Sequence, residues 1–361
     1  MFKLKVAILV DVLGNKGGIE RIVLLQAKLF NADIYAGRYI PKTTFKEFNN
    51  FKITEINKTK FPQRIWSFYN RIKFCKLNLT KYDLVIMHGG GSLSAAKNNK
   101  NNIWYCHAPT IWLYSTTNED LGRIGFFKRN IIKLIIPFLK KIDKKNVSFV
   151  KKIITNSKNV KERVLKIYNR TSEVIYPPVD LEKFKYESTN NFYLSSARLT
   201  PDKRVDVIVK AFQQMPDKKL VVASGGSDLE KIKKLAENYK NIEVLGWVSD
   251  EKLKELYGGC IATLAASYYE DFGMIAIESM AAGKPMIASL DKGFAESIIN
   301  NKTGFLINPT MEEIIKYVKI LDKKKAIFMK DACENRAKLF SEEIFMGKFK
   351  KSVKEIFNEN D

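Results

Sequence analysis

The chain has little of several things that usually announce a function. Its 361 residues include two histidines, His88 and His107, and four scattered cysteines, Cys75, Cys106, Cys260 and Cys333, with no Cys-x-x-Cys pair. Free, buried thiols in a reducing compartment are the expectation, not a zinc site or a disulfide framework. No Asp-x-Asp triplet occurs, so a paired-aspartate cradle for a divalent ion on a diphosphate is missing. No stretch reaches the roughly 18 uncharged apolar residues that would span a bilayer. The apolar run Val6 to Val10 stops at Asp11, too short for a secretion signal. A cytoplasmic protein is expected, free or held on the membrane's cytoplasmic face. No solenoid-length repeat is present.

Acidic residues are scarce in one half. Residues 1–187 hold 35 basic and 14 acidic side chains, a surplus of 21, while the remainder holds 27 and 25. Such a field attracts a polyanion: anionic lipid, a phosphorylated acceptor or nucleic acid. A lysine-favouring genome would act on both halves, so the asymmetry points to function. A nucleic-acid binder would also need stacking aromatics or a reading helix. Neither stands out, and no nucleic-acid partner is expected.

Length suits two domains. Leu4–Val10 reads as a buried parallel strand, broken at Gly14-Asn15-Lys16-Gly17-Gly18 and followed by a helix from Ile19 to Phe30. Strands are expected at Asp83–His88, Asn102–His107 and Lys152–Thr155, with Ser157 capping a helix Lys158–Tyr168. Tyr176-Pro177-Pro178 resists helix and central strand alike, which places a junction near 180. A second strand–helix cycle starts at Phe192. Alternation of this kind implies α/β architecture with two doubly wound, Rossmann-like domains facing across a cleft. The expected division is 1–180, basic and acceptor-side, 181–340, donor-side, and a last helix at 341–361 returning toward the first domain.

Three constellations carry chemistry. Glu270-Asp271-Phe272-Gly273-Met274-Ile275-Ala276-Ile277-Glu278 follows a predicted strand and opens a helix. The free amides of a first helical turn suit an anion, and Gly273 lets backbone approach a ligand. As a bare pattern it is also an ordinary acidic helix start. Arg198-Leu199-Thr200-Pro201-Asp202-Lys203 is a strand-to-helix loop whose two cations suit a diphosphate. Trp104-Tyr105-Cys106-His107-Ala108-Pro109 sets His107 at a strand's carboxyl end.

Together these resemble family-4 glycosyltransferases of the GT-B fold. The resemblance implies that Glu270 meets donor-sugar hydroxyls and Glu278 the nucleotide ribose. It implies that the amides of Phe272, Gly273 and Met274 meet sugar and diphosphate, and that Arg198 and Lys203 neutralise the diphosphate. Gly17 and Gly18 resemble the family's glycine-rich loop near donor phosphate or acceptor. Main chain near Val248 resembles its base-reading loop, and His107 the histidine near the donor sugar. Glu270, His107, Arg198 and Lys203 are the expected catalytic residues. Tyr-Cys-His-x-Pro resembles mannosyltransferases using GDP-mannose, although Thr110 to Tyr114 lack the arginine usual after that proline. A UDP-sugar enzyme of the same fold is the alternative, and a polyanion-binding protein the alternative of another class. The implied reaction is retaining hexosyl transfer to a glycan or lipid-linked hydroxyl, with no metal and no cofactor. The basic, apolar segment 126–145 has the composition of an interfacial helix on anionic lipid, with Pro137 expected to kink or break it.

Overall fold

The computed structural model describes residues 4–59, 63–114 and 126–358. The side chains at 63–65, 111–112 and 126–133 lie outside the described residues, and with them the first part of the basic segment.

The chain divides into two compact units: Met1–Tyr176 with Met346–Asp361, and Pro177–Phe345. The first is built on a seven-stranded sheet: β1 (Val6–Leu13), β2 (Asp33–Tyr39), β3 (Ile53–Glu55), β4 (Leu84–His88), β5 (Asn102–Cys106), β6 (Lys152–Thr155) and β7 (Glu173–Val174). Their spatial order is β3-β2-β1-β4-β5-β6-β7, and every pair is parallel. Val6 to Val10 are buried almost completely. That is what an unbroken apolar run implies when helices cover both faces of a sheet. Ser157 caps the helix Lys158–Tyr168 by accepting from the amide of Val160.

The second unit holds β8 (Tyr193–Ser195), β9 (Leu220–Val222), β10 (Ile242–Val244), β11 (Thr263–Ala265), β12 (Met286–Ser289) and β13 (Gly304–Ile307). These lie in the order β10-β9-β8-β11-β12-β13, again all parallel. Strand order reverses between β1 and β4 in one unit and between β8 and β11 in the other. Ligands of open parallel sheets bind beyond the carboxyl ends of the strands at such switch points.

Two expectations are corrected, a break at Pro137 and four buried thiols. The helix Phe126–Ser148 runs through Pro137. Pro137 is exposed, so water can replace the one hydrogen bond that its ring removes. Cys75 is exposed, while Cys106, Cys260 and Cys333 are buried. The strands of the second unit are shorter than their apolar runs, because Ala197, Ala223, Ile261 and Ala266 are buried in flanking loops and not in the ladder. The final helix, Glu342–Asn358, sets Phe349 against Phe30 and Tyr105 of the first unit, ring centroids 6.1 and 6.4 Å away. Lys151 Nζ donates to the Ile356 carbonyl at 2.8 Å.

Candidate active site

In the second unit the two expected donor motifs follow β8 and β11, the strands that flank the switch point. The loops meet. The Tyr268 amide donates to the Asp202 carbonyl at 2.9 Å, and Lys203 Nζ donates to Glu270 Oε2 at 2.9 Å. Burial disfavours the Lys203 ammonium, but Glu270 and Asp202 beside it hold its pKa above the ordinary lysine value. A cation and a carboxylate from motifs 67 residues apart therefore form one charged centre.

Glycine is required at two points around it. Gly273 caps the helix Met274–Ala281 at φ 82°, and a Cβ there would lie 2.5 Å from the Phe294 ring. Gly226, at φ 154°, would place a Cβ 2.1 Å from the Leu199 carbonyl oxygen. Leu199 donates to the Gly225 carbonyl and accepts from the Asp228 amide, each at 2.9 Å. The loop carrying Arg198 is thus fastened to the loop after β9. Arg198 itself is exposed and makes no ion pair among the described residues. Phe272 is buried and packs on Phe340, ring centroids 5.7 Å apart, so only its main chain can serve a ligand.

Glu278 is buried in the helix Met274–Ala281. Its Oε2 accepts from the Tyr257 hydroxyl at 3.0 Å, and that hydroxyl lies 2.7 Å from Ser196 Oγ. Burial, and then the neighbouring Glu278, push the Tyr257 phenol far above its ordinary pKa, so it remains a donor. Sequence reasoning missed Tyr257 and Ser196. No spacing links them to Glu278, since they come from a different helix and from the end of β8. Val248 is half-buried beside exposed Trp247, whose indole leaves no room for a Cβ on Gly225.

In the first unit Gly17 caps the helix Gly18–Phe30. The Glu20 carboxylate folds back on this turn, accepting from the Asn15 amide at 3.3 Å. Burial raises its pKa, against the lowering effect of the amides of Glu20, Asn15, Gly14 and Gly17. The glycine-rich turn thus already faces a carboxylate of its own chain. At the ends of β1 and β4, the Asp11 carboxylate accepts from the amides of Gly91 and Ser92 at 2.9 and 2.6 Å and anchors the Gly89-Gly90-Gly91 loop. His107 follows β5, half-buried, 2.9 Å from His88. Asp11, His88 and Gln26 were not foreseen as a site. For Asp11 and His88 the one available signal was a polar residue near the end of a buried strand before a glycine loop; Gln26, inside the helix Gly18–Phe30, gave none.

Among the described residues no group of three His, Cys, Asp or Glu side chains is placed to hold a metal ion. None of their helices is long and apolar enough to cross a membrane.

Residues 17–183 match the sequence profile Glycosyltransferase Family 4, and residues 179–339 match Glycosyl transferases group 1. An uncharacterized glycosyltransferase of Methanocaldococcus jannaschii is 26% identical over 67% of this chain and 66% of its own length. The alpha-1,3/1,6-mannosyltransferase of Dictyostelium discoideum is 24% identical over 86% of this chain and 88% of its own. Among solved structures, sucrose-phosphate synthase of Thermosynechococcus elongatus superposes with TM-score 0.79 at 19% identity, covering 98% of this chain and 100% of that one. Anabaena HepE, solved with UDP and glucose, gives 0.76 at 15% identity, covering 97% and 99%. The two profiles together span residues 17–339, and the chain belongs to the family-4 glycosyltransferases, with their two Rossmann-like GT-B domains.

Proposed function

We propose that this glycosyltransferase moves a hexose from a nucleoside diphosphate sugar to an acceptor hydroxyl, with retention at the anomeric carbon and without a metal ion. The observation that carries the reading is the Lys203–Glu270 pair at 2.9 Å beside the start of the helix Met274–Ala281. A cation, a carboxylate and free helical amides in one place match a diphosphate joined to a sugar. Lys203 and Arg198 neutralise the leaving diphosphate, Glu270 accepts from sugar hydroxyls, and Glu278, held by Tyr257, accepts from the ribose. The main chain of Phe272, Gly273 and Met274 donates to sugar and phosphate, and Val248 reads the base. Gly17 and Gly18 admit a substrate phosphate once Glu20 turns aside. His107 serves the sugar.

Glu270 is tied to Lys203 and Glu278 is buried beneath Tyr257, which argues against either as a nucleophile. The acceptor oxygen therefore bonds the anomeric carbon as its bond to the diphosphate oxygen breaks, on the same face. The acceptor proton passes to the leaving phosphate. Stabilising that phosphate is the main lever on rate.

The preferred donor is GDP-mannose, supported by the Tyr105-Cys106-His107-Ala108-Pro109 string and by mannosyltransferases among the relatives. A UDP-sugar is the second reading, favoured by the UDP of HepE. The acceptor is a glycan or lipid-linked glycan. Exposed Leu134, Phe138 and Ile142, four residues apart on a lysine-rich helix, support contact with an anionic membrane face.

A thermal-shift panel of GDP, UDP, GDP-mannose, UDP-glucose and a short oligonucleotide tests the reading. A ligand at about 100 times its Kd stabilises by about 2.7 kcal/mol. GDP and GDP-mannose are expected to shift the melt, and turnover to survive EDTA. A shift with the oligonucleotide alone rejects the transferase reading, a shift with UDP compounds alone selects the second donor, and turnover restored only by Mg²⁺ or Mn²⁺ rejects metal independence.

A further inference from the structure

The chain's two histidines touch one another. Nδ1 of His88 lies 2.9 Å from Nε2 of His107, and Nε2 of His88 lies 2.7 Å from Oε1 of buried Gln26. Strand register makes this contact. His88 ends β4 opposite Tyr105 on β5, and His107, two residues further, projects from the same side. Tyr105 packs against both rings, with centroids 5.6 and 5.0 Å away.

Proton placement follows from what each atom can do. Gln26 turns Oε1 to His88 and leaves its Nε2 without a partner among the described residues; in that orientation the proton between them belongs to His88 Nε2, since a carboxamide oxygen only accepts. A neutral His88 then has a lone pair on Nδ1, which only a donor can face, and that donor is the Nε2–H of His107. A neutral His107 so arranged has its own lone pair on Nδ1, which has no partner among the described residues. Burial keeps both rings neutral. It lowers the His107 pKa to about 3 and, with His107 adding to it, that of His88 well below the usual 6.5. The other groups around the pair leave the arrangement intact. The Tyr105 hydroxyl donates to the Ile175 carbonyl, Cys106 is a buried thiol, and the Asp11 carboxylate accepts from Gly91 and Ser92.

We propose that His88 is a positioning residue for His107: by accepting the Nε2–H it fixes one tautomer, with Nδ1 of His107 as acceptor for a sugar hydroxyl. A bare imidazole exchanges tautomers freely, and a hydrogen bond on one nitrogen decides what the other presents. The substrate part rests on the transferase reading above. The tautomer part does not.

Two histidines give four ring nitrogens, so ¹⁵N-histidine labelling with long-range ¹H–¹⁵N correlation reads every one. The wild-type spectrum is expected to show both rings neutral and protonated on Nε2, unchanged from about pH 5 to 8. In His88→Phe, His107 should exchange tautomers and stay neutral over the same range, because burial is what lowers its pKa. In that variant kcat should fall about ten-fold while the donor KM moves less than about two-fold, the loss expected for one hydrogen bond. His88→Gln offers a carbonyl to the same Nε2–H and should recover most of the rate. If His88→Phe does not fold, Gln26→Met empties the far end of the chain and should move the same nitrogens. A wild-type His107 protonated on Nδ1, an unchanged His107 tautomer in these variants, or equal rates for His88→Phe and His88→Gln overturns the proposal. Absence of turnover with every nucleotide sugar defeats the transferase reading instead, and the wild-type spectrum still decides the tautomer.

Discussion

At the scale of single residues, the candidate donor site pairs groups that neither sequence motif contains alone. Lys203 is paired with Glu270, whereas Arg198 stands exposed and without an ion pair among the described residues. Replacing either cation by alanine is expected to lower kcat by about 10²–10³, the range for removing one preorganised charge-stabilising group. Glu278→Ala should act mainly on donor KM, because a ribose contact is made equally in ground and transition states. Steady-state kinetics on the three variants separates these effects, and near-wild-type kcat in both cation variants rejects the assignment. Lys284 makes a different prediction. It is 1% exposed, its ammonium donates to the Ser188 carbonyl, and it sits 4.0 Å from the Tyr186 ring centroid. Burial lowers its pKa from 10.5 to about 8. Between those two values the unfolded chain holds the extra proton, so this group's contribution to stability rises with pH across that window. Lys284→Met should flatten the rise, visible as a difference between the two proteins' melting temperatures at about pH 7.5 and 9.5. Parallel curves would show that Lys284 stays charged in the fold.

At the scale of elements, local signals and tertiary context divide cleanly. The helix Lys158–Tyr168 and its Ser157 cap are readable because a cap acts within one turn. β2, β13 and the helices Met311–Ile320 and Lys323–Lys338 were not read. In β2 and the two helices apolar residues are interrupted by polar ones, β13 is a run of only four residues, and neighbours elsewhere in the fold decide the element's type. The helix Phe126–Ser148 shows both sides. Its basic, apolar composition is plain in the sequence, but the exposure of Leu134 at 81% and Phe138 at 63% is a property of the fold. The double variant Leu134→Ser, Phe138→Ser should reduce co-sedimentation with anionic liposomes several-fold, and added salt should weaken the remainder. Wild-type protein that sediments equally with anionic and neutral vesicles, or with neither, ends the membrane reading.

At the scale of the whole molecule, the charge follows the structural division more closely than the division at residue 187. The unit built from residues 1–176 and 346–361 carries 37 basic and 14 acidic side chains, and the unit 177–345 carries 25 of each. The entire net charge of +23 therefore belongs to the first unit. Its final helix contributes because tertiary packing assigns it there. On the proposed reading, the neutral unit holds an anionic donor through a few local cations, and the basic unit presents a broad field suited to an anionic acceptor or surface.

Legible in the residues alone were the α/β class, the switch from strand to helix at glycine turns, and the family to which Glu270, Glu278, Arg198 and Lys203 point. Those features are written in runs of a few residues and obey local sterics. Tertiary structure alone decided that Lys203 faces Glu270, that Tyr257 holds Glu278, that Glu20 fills the turn at Gly17, and that His88 meets His107. Each of the first, second and fourth of these contacts joins different segments of the chain. They depend on which strands lie side by side, and burial of the whole sheet sets that order, which no short window of sequence records. The Glu20 contact is short in sequence, but only burial of that turn turns its carboxylate back onto the amides.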